Sequence, residues 1–275
     1  MPRDLFRAAG GGMFITLATD FGTSDYFVGA MRGVILARNP QARIFDITHE
    51  IPAHDIRAGA FILLAAYREY PERTVHVAVV DPGVGSARRP ILIVTPRYFF
   101  IGPDNGLFSY VCEREGEVRA FHLTNERFFR HPVSATFHGR DIFAPVAASL
   151  TLGVPPEEFG PPIDDLVQLE PLAPQRVGEN EMRARIVHID RFGNCITNLT
   201  RADLTEEMIA RGAHLLANGR KISSFRRFFD EGTTDEPFAV WGSAGFLEIV
   251  IKLDSAAQKL GLVRGQEIIV RLAGD

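Results

Sequence analysis

Hydrophobic positions along the first two-thirds of the chain alternate between short β-like runs and stretches with helical spacing. Phe14–Ala18 is an apolar run of strand length. Phe27, Met31, Val34 and Ile35 then fall on one helical face, with Ser24 or Asp25 as the expected N-cap. Arg43–Ile47 reads as the next strand. His54–Tyr67 reads as a helix that opens near Asp55 and turns Ile56, Ala60, Leu63, Leu64 and Tyr67 inward. Thr74–Val80 is a β-branched run with no polar face, the pattern of a strand buried on both sides. Pro90–Val94 and Arg97–Ile101 read as two further strands joined at Thr95-Pro96, and His138–Leu152 as another helix. This alternation predicts a layered α/β domain with a central, mostly parallel sheet.

The pattern changes after a proline-rich, acidic stretch. Beyond it, Met182–Ile189, Cys195–Leu199, His214–Ala217, Lys221–Ser223, Phe246–Leu253 and Gln266–Leu272 all read as strands. Asn218-Gly219 between two of them is a hairpin turn signal. The expected organisation is therefore a disordered leader at 1–12, with Met13 a candidate start, and an α/β domain at 13–165. A linker at 166–181 and a smaller β-barrel-like domain at 182–275 follow.

Composition narrows the function classes. The chain has 275 residues, 46% hydrophobic and 23% charged, which suits a folded protein with a real core. Thirty basic and 34 acidic residues give a net charge of −4, without the basic excess of a nucleic-acid surface. No apolar stretch reaches the roughly 18 residues of a membrane span, and the N-terminus lacks a signal-peptide core. Two cysteines, Cys112 and Cys195, are too few for a disulfide framework and fit a reducing, cytoplasmic setting.

Four segments carry candidate chemistry. Thr19-Asp20-Phe21-Gly22-Thr23-Ser24 follows the first strand, where open α/β sheets hold ligands. Asp20 could accept from ribose hydroxyls there, or simply cap local amides. Its Asp-x-Gly-Thr pattern is also similar to the phosphate loop of actin-like ATPases, which need a second such loop. Asp81-Pro82-Gly83-Val84-Gly85 follows the buried strand, and Arg88 lies where it can fold back onto Asp81. The alternative is a surface turn with a weak ion pair. Phe137-His138-Gly139-Arg140-Asp141 opens a helix; His, Asp and Arg serve acid–base work when they converge, which spacing alone does not show. Asp190-Arg191-Phe192-Gly193-Asn194 offers polar groups and a ring to a purine or an amino-acid end, but Gly-Asn is ordinary turn chemistry. Ser243 and Glu248 flank a glycine-rich bend, and Gly102–Gly106 reads as a plain turn. His49 and His54 form a pair without the further ligands of a zinc site. Arg220, Lys221, Arg226 and Arg227 read as a solvated basic face.

In this order the segments resemble the S-adenosyl-L-methionine hydroxide adenosyltransferases, the adenosine-forming hydrolases related to fluorinase and chlorinase. The resemblance runs from Phe14 to the C-terminus. It implies hydrolysis of S-adenosyl-L-methionine to adenosine and L-methionine by water attacking the 5′ carbon, without a cofactor. It implies Asp81, Arg88 and His138 as the catalytic set and Asp20 on the ribose. Phe137, Asp190, Phe192, Asn194, Ser243 and Glu248 would hold the rest of the substrate. The halogenating relatives lack an acid at the Asp81 position, so the resemblance favours water over halide as nucleophile. It further implies a homotrimer with sites at subunit interfaces, and no nucleic-acid or membrane partner. Two alternatives remain at this stage: an actin-like phosphotransferase and a non-catalytic nucleotide-binding protein.

Overall fold

In the computed structural model, which describes residues 13–272, the chain divides into two units, Met1–Glu170 and Pro171–Asp275. The expected leader, 1–12, lies outside the described residues. The unit boundary falls inside the stretch expected as a linker.

The first unit runs β1 (Phe14–Thr19), α1 (Phe27–Arg38), β2 (Arg43–Thr48), α2 (Ile56–Ala66), β3 (Val75–Val79), β4 (Pro90–Val94) and β5 (Phe99–Pro103). It continues through α3 (Ser109–Glu115), β6 (Arg119–His122), α4 (Ala144–Thr151) and β7 (Pro162–Ile163). One sheet takes all seven strands in the order β2-β1-β3-β5-β4-β6-β7. The first four are parallel, β4 reverses, and β6 reverses again, so β6 rejoins the common direction. Strand alternation divides the core between the two faces. Ile15 and Leu17 of β1 and Val75 and Val77 of β3 meet Met31 and Ile35 of α1 and Val146 and Leu150 of α4. On the other face Thr16, His76 and Phe100 lie in register across β1, β3 and β5, beside Tyr67. The β-branched run at 75–79 is buried throughout because it is paired on both edges and covered on both faces.

Local expectations fail at three places. Neither Ser24 nor Asp25 caps α1; the N-cap is Tyr26, with no side-chain hydrogen bond. The helix expected from His138 begins as a π-turn at Gly139–Phe143 and becomes α-helical only at Ala144. Pro145 has no amide to give the Asp141 carbonyl, four residues back, and that carbonyl instead accepts from the Arg130 amide at 2.8 Å. The segment 102–106 is more than a turn: β5 runs to Pro103, and Asp104 is 5% exposed. Asp104 accepts from Arg89 Nε at 2.9 Å and from the Val167 amide at 2.9 Å, anchoring the chain as it leaves the unit. Helix α3 and strand β6 are too short to show a period in sequence.

The second unit contains β8 (Gln175–Arg176), β9 (Glu181–Ile189), β10 (Cys195–Thr200), α5 (Glu206–Ala210), β11 (His214–Ala217) and β12 (Arg220–Ile222). It ends with β13 (Phe225–Arg226), β14 (Phe238–Trp241), β15 (Phe246–Val250), α6 (Ala256–Leu260) and β16 (Glu267–Arg271). The strands form one curled sheet, β12-β11-β16-β9-β10-β15-β14-β13, with β8 on β9. It is a half-barrel whose ends, β12 and β13, are not paired with each other. Asn218 and Gly219 both have positive φ, 48° and 76°, as a two-residue hairpin requires. Inward residues such as Ile186, Leu199, Leu215, Leu247, Ile249 and Val270 fill its core.

Candidate active site

Strands β1 and β3 are neighbours, so the loops after them start side by side; the Asp20 amide reaches the Val79 carbonyl at 3.4 Å. The β1 loop turns at Gly22, whose φ is 68° and whose amide donates to the His49 carbonyl at 2.7 Å. Asp20 Oδ2 accepts from the His54 amide at 2.9 Å. This places the carboxylate above the carboxyl end of the sheet, where small polar ligands bind in this architecture.

The β3 loop folds Arg88 back onto Asp81. Arg88 Nε donates to Asp81 Oδ1 at 2.8 Å, and Nη2 donates to Oδ2, a two-pronged pair. The same Nη2 lies 2.8 Å from His138 Nδ1, fifty residues on in the chain. Arg88 also stands over the Phe143 ring, 5.5 Å from its centroid. The Asp81 and Arg88 side chains are only 5% and 9% exposed. The three residues expected to act together are therefore in direct contact. A guanidinium only donates, so His138 Nδ1 accepts and the ring carries its proton on Nε2. Burial, and then the Arg88 charge, hold the imidazole below its ordinary pKa, so it is neutral at neutral pH. Arg88 Nη1 is buried without a hydrogen-bond partner among the described residues.

Two features bring the His138 segment to this loop. At Gly85, φ is 76° and a Cβ would stand 2.2 Å from the Ala135 carbonyl oxygen, so only glycine allows the approach. Gly85→Ala is expected to lower stability by about 1–3 kcal/mol and to reduce turnover, checked by urea denaturation and initial rates. The second feature is Asp141, fully buried. It accepts from Arg130 Nη1 at 3.1 Å, Arg140 Nε at 2.7 Å, Arg140 Nη2 at 2.8 Å and the Ser134 amide at 2.9 Å. Burial pushes its pKa up, but Arg140, the Ser134 amide and Arg130 together hold it below the usual value. Phe137 is buried, edge-on to Phe27 and Phe21 at 5.2 and 6.0 Å, with Arg140 over its ring at 5.0 Å. It thus links the His138 turn to the Asp20 loop by packing.

The second unit gathers another polar group. Asp190 Oδ1 accepts from the Phe192 and Asn194 amides at 2.9 and 2.8 Å, and Oδ2 accepts from Asn194 Nδ2 at 2.9 Å. The turn that the sequence suggests is therefore present, with Asp190 as its hub and Phe192 76% exposed at its tip. Gly193 is required because Ser255 packs against it, 2.0 Å from where a Cβ would be. Glu248 on β15 curls over Gly242, whose Cβ would lie 1.8 Å from Oε1; Ser243 is exposed on the same β14–β15 turn. Burial, and then the Asp190 charge, push the Glu248 carboxyl up to about 7. A carboxyl raised on folding contributes stability that is full below its unfolded value near 4.5 and is lost as pH rises to about 7. The wild type's melting temperature relative to that of Glu248→Gln is expected to fall from pH 5 to pH 8; a difference that stays constant across that range would contradict this.

The fold and these clusters define a class: an α/β protein with polar loops at the carboxyl ends of its parallel strands, followed by a β half-barrel with a carboxylate–amide group of its own. The SAM hydroxide adenosyltransferase N-terminal domain matches residues 15–160, and the corresponding C-terminal domain matches 184–269. The chain belongs to the SAM hydroxide adenosyltransferase family. A Thermus thermophilus protein named (R)-S-adenosyl-L-methionine hydrolase is 40% identical over 259 residues, 91% of this chain and 96% of its own. A Methanocaldococcus jannaschii protein of the same name is 39% identical, over 90% of this chain and 92% of its own. The crystal structure of an uncharacterized conserved protein from Thermotoga maritima superposes with a TM-score of 0.88 at 33% identity, covering 94% of this chain and all of its own.

Proposed function

We propose that this protein hydrolyses S-adenosyl-L-methionine to adenosine and L-methionine. The observation that carries the reading is the buried Asp81–Arg88–His138 contact set in a chain whose relatives bear that activity in their names. A water oxygen attacks the 5′ carbon, the C5′–S bond breaks, and its electron pair returns to sulfur. The sulfonium becomes a neutral thioether, and the water gives up one proton. The leaving group needs no acid, because its charge disappears as it departs. The enzyme's task is to align and desolvate one water.

Asp81 is the water's acceptor. Each of its oxygens takes one hydrogen bond from Arg88 and retains a second lone pair. Arg88 fixes the carboxylate, and its Nη1 offers a further donor to the water oxygen. His138 has its Nδ1 filled by Arg88, so it orients the guanidinium and presents an N–H rather than a base. The proton passes through Asp81 to solvent. Asp20 holds the ribose hydroxyls, while Phe192, Asn194, Asp190, Ser243 and Glu248 hold the adenine and amino-acid ends, with Phe137 supporting the ribose loop. An anion at Asp81 repels halide, which favours water as nucleophile. The reaction as written needs no metal or redox cofactor. By family resemblance the enzyme is a cytoplasmic homotrimer with sites completed between subunits, and it works without nucleic-acid or membrane partners. Among the described residues, no helix is long and apolar enough to cross a membrane.

The test is incubation of the purified protein with each sulfonium epimer of S-adenosylmethionine, with and without chelator, followed by chromatography. Equimolar adenosine and methionine, unaffected by chelator, are expected. Binding without products would make it a nucleotide-binding protein, and activity only with magnesium and ATP would make it a phosphotransferase.

A further inference from the structure

A second buried polar chain lies beside the β1 loop. Thr19 Oγ1 is 2.9 Å from His49 Nδ1. His49 Nε2 makes no well-aligned hydrogen bond, but Asp46 Oδ1, 3.0 Å away, is the acceptor beside it. Thr19 is fully buried and His49 is 4% exposed, while Arg32 of α1 pairs with Asp46 at the surface end. The proton positions follow from the chemistry of each group. A carboxylate only accepts, so the His49 proton sits on Nε2 and Nδ1 accepts from the Thr19 hydroxyl. The Thr19 oxygen in turn accepts from the Phe21 amide at 3.2 Å. Backbone contacts close the same loop: the Gly22 amide meets the His49 carbonyl at 2.7 Å, and the Ile51 amide meets the Thr19 carbonyl at 3.3 Å. Asp20 is thus held between Thr19 and Phe21, the two residues this chain fixes. An apolar threonine substitute would pack as well but would release the Phe21 amide.

We propose that Thr19, His49 and Asp46 are positioning residues that set the Asp20 carboxylate and thereby the affinity for the substrate's ribose diol. This rests on the reading of Asp20 given above. The relay contributes to binding and not to the displacement at the 5′ carbon, so its loss raises KM and spares kcat.

The experiment measures KM for S-adenosylmethionine, kcat, and the Kd of adenosine for Thr19→Val, Thr19→Ser, Asp46→Asn and Asp20→Asn. Thr19→Val is expected to raise KM and Kd about tenfold, about 1.4 kcal/mol, with kcat within threefold. Thr19→Ser, which keeps the hydroxyl, is expected to stay within twofold of wild type. Asp46→Asn, at the half-exposed end, tests the relay if Thr19→Val does not fold, and is expected to raise KM and Kd several-fold. Nitrogen-15 spectra should show His49 as the Nε2–H tautomer. If Asp20→Asn raises KM and Kd but Thr19→Val and Asp46→Asn do not, the inference falls alone. It also falls if Thr19→Ser is as impaired as Thr19→Val, or if His49 carries its proton on Nδ1. If Asp20→Asn changes neither constant, the ribose role of Asp20 falls, and the inference with it.

Discussion

Asp81→Asn is expected to lower kcat about 10²- to 10⁴-fold while leaving the Kd of adenosine within threefold. Asparagine keeps the volume and one acceptor for Arg88. It replaces the second acceptor oxygen with an amide that donates, so the group can no longer both hold the Arg88 fork and receive a proton from water. Asp81→Ala is the poorer test, because it strands Arg88, whose side chain is 9% exposed, without its counter-charge. Single-turnover rates with S-adenosylmethionine check the prediction. A kcat within fivefold of wild type would remove Asp81 from the chemistry. His138→Ala should also reduce turnover, but less, since on this geometry the ring orients Arg88 and takes no proton.

Asp141→Asn is expected to destabilise the protein by about 3 kcal/mol and to lower kcat through the His138 turn. The carboxylate accepts four hydrogen bonds, and asparagine would turn a donor toward Arg130, Arg140 or the Ser134 amide. Urea denaturation of both proteins measures the loss; a difference under about 1 kcal/mol would contradict it. The pH dependence gives a second check. Asp141 is held below its ordinary value, so its contribution is present above about pH 4 and lost as pH falls through its folded value. The wild type should therefore lose more stability in acid than Asp141→Asn does.

Much of the site was legible in the sequence because its parts are local. Asp81 and Arg88 are seven residues apart on one glycine-containing loop, and a loop after a buried strand has little choice of direction. The Asp190–Asn194 turn was legible for the same reason: a short polar side chain bonds amides two and four residues on. The failures are equally physical. Ser24 and Asp25 are good caps by residue type, yet the chain enters α1 through Tyr26, whose side chain makes no cap hydrogen bond. Gly102–Gly106 has turn composition, but Asp104 is drawn inside by Arg89, and that pull comes from a residue fifteen positions back, just before β4.

By itself the sequence determined the longer strands and helices, that the β-branched run at 74–80 is a strand buried on both sides of a largely parallel sheet, and which loops carry the polar groups. It did so because hydrophobic period and turn chemistry depend on neighbours a few residues away. Only the tertiary structure decided what those groups are chemically. It brought His138 to Arg88 across fifty residues, which fixes the ring's tautomer, and buried it, so that burial first and the Arg88 charge second keep it neutral. It buried Glu248, and that burial, with the Asp190 charge second, lifts the carboxyl to about 7. Proton positions and charge states follow burial and the nearest charge, and both are properties of the folded chain.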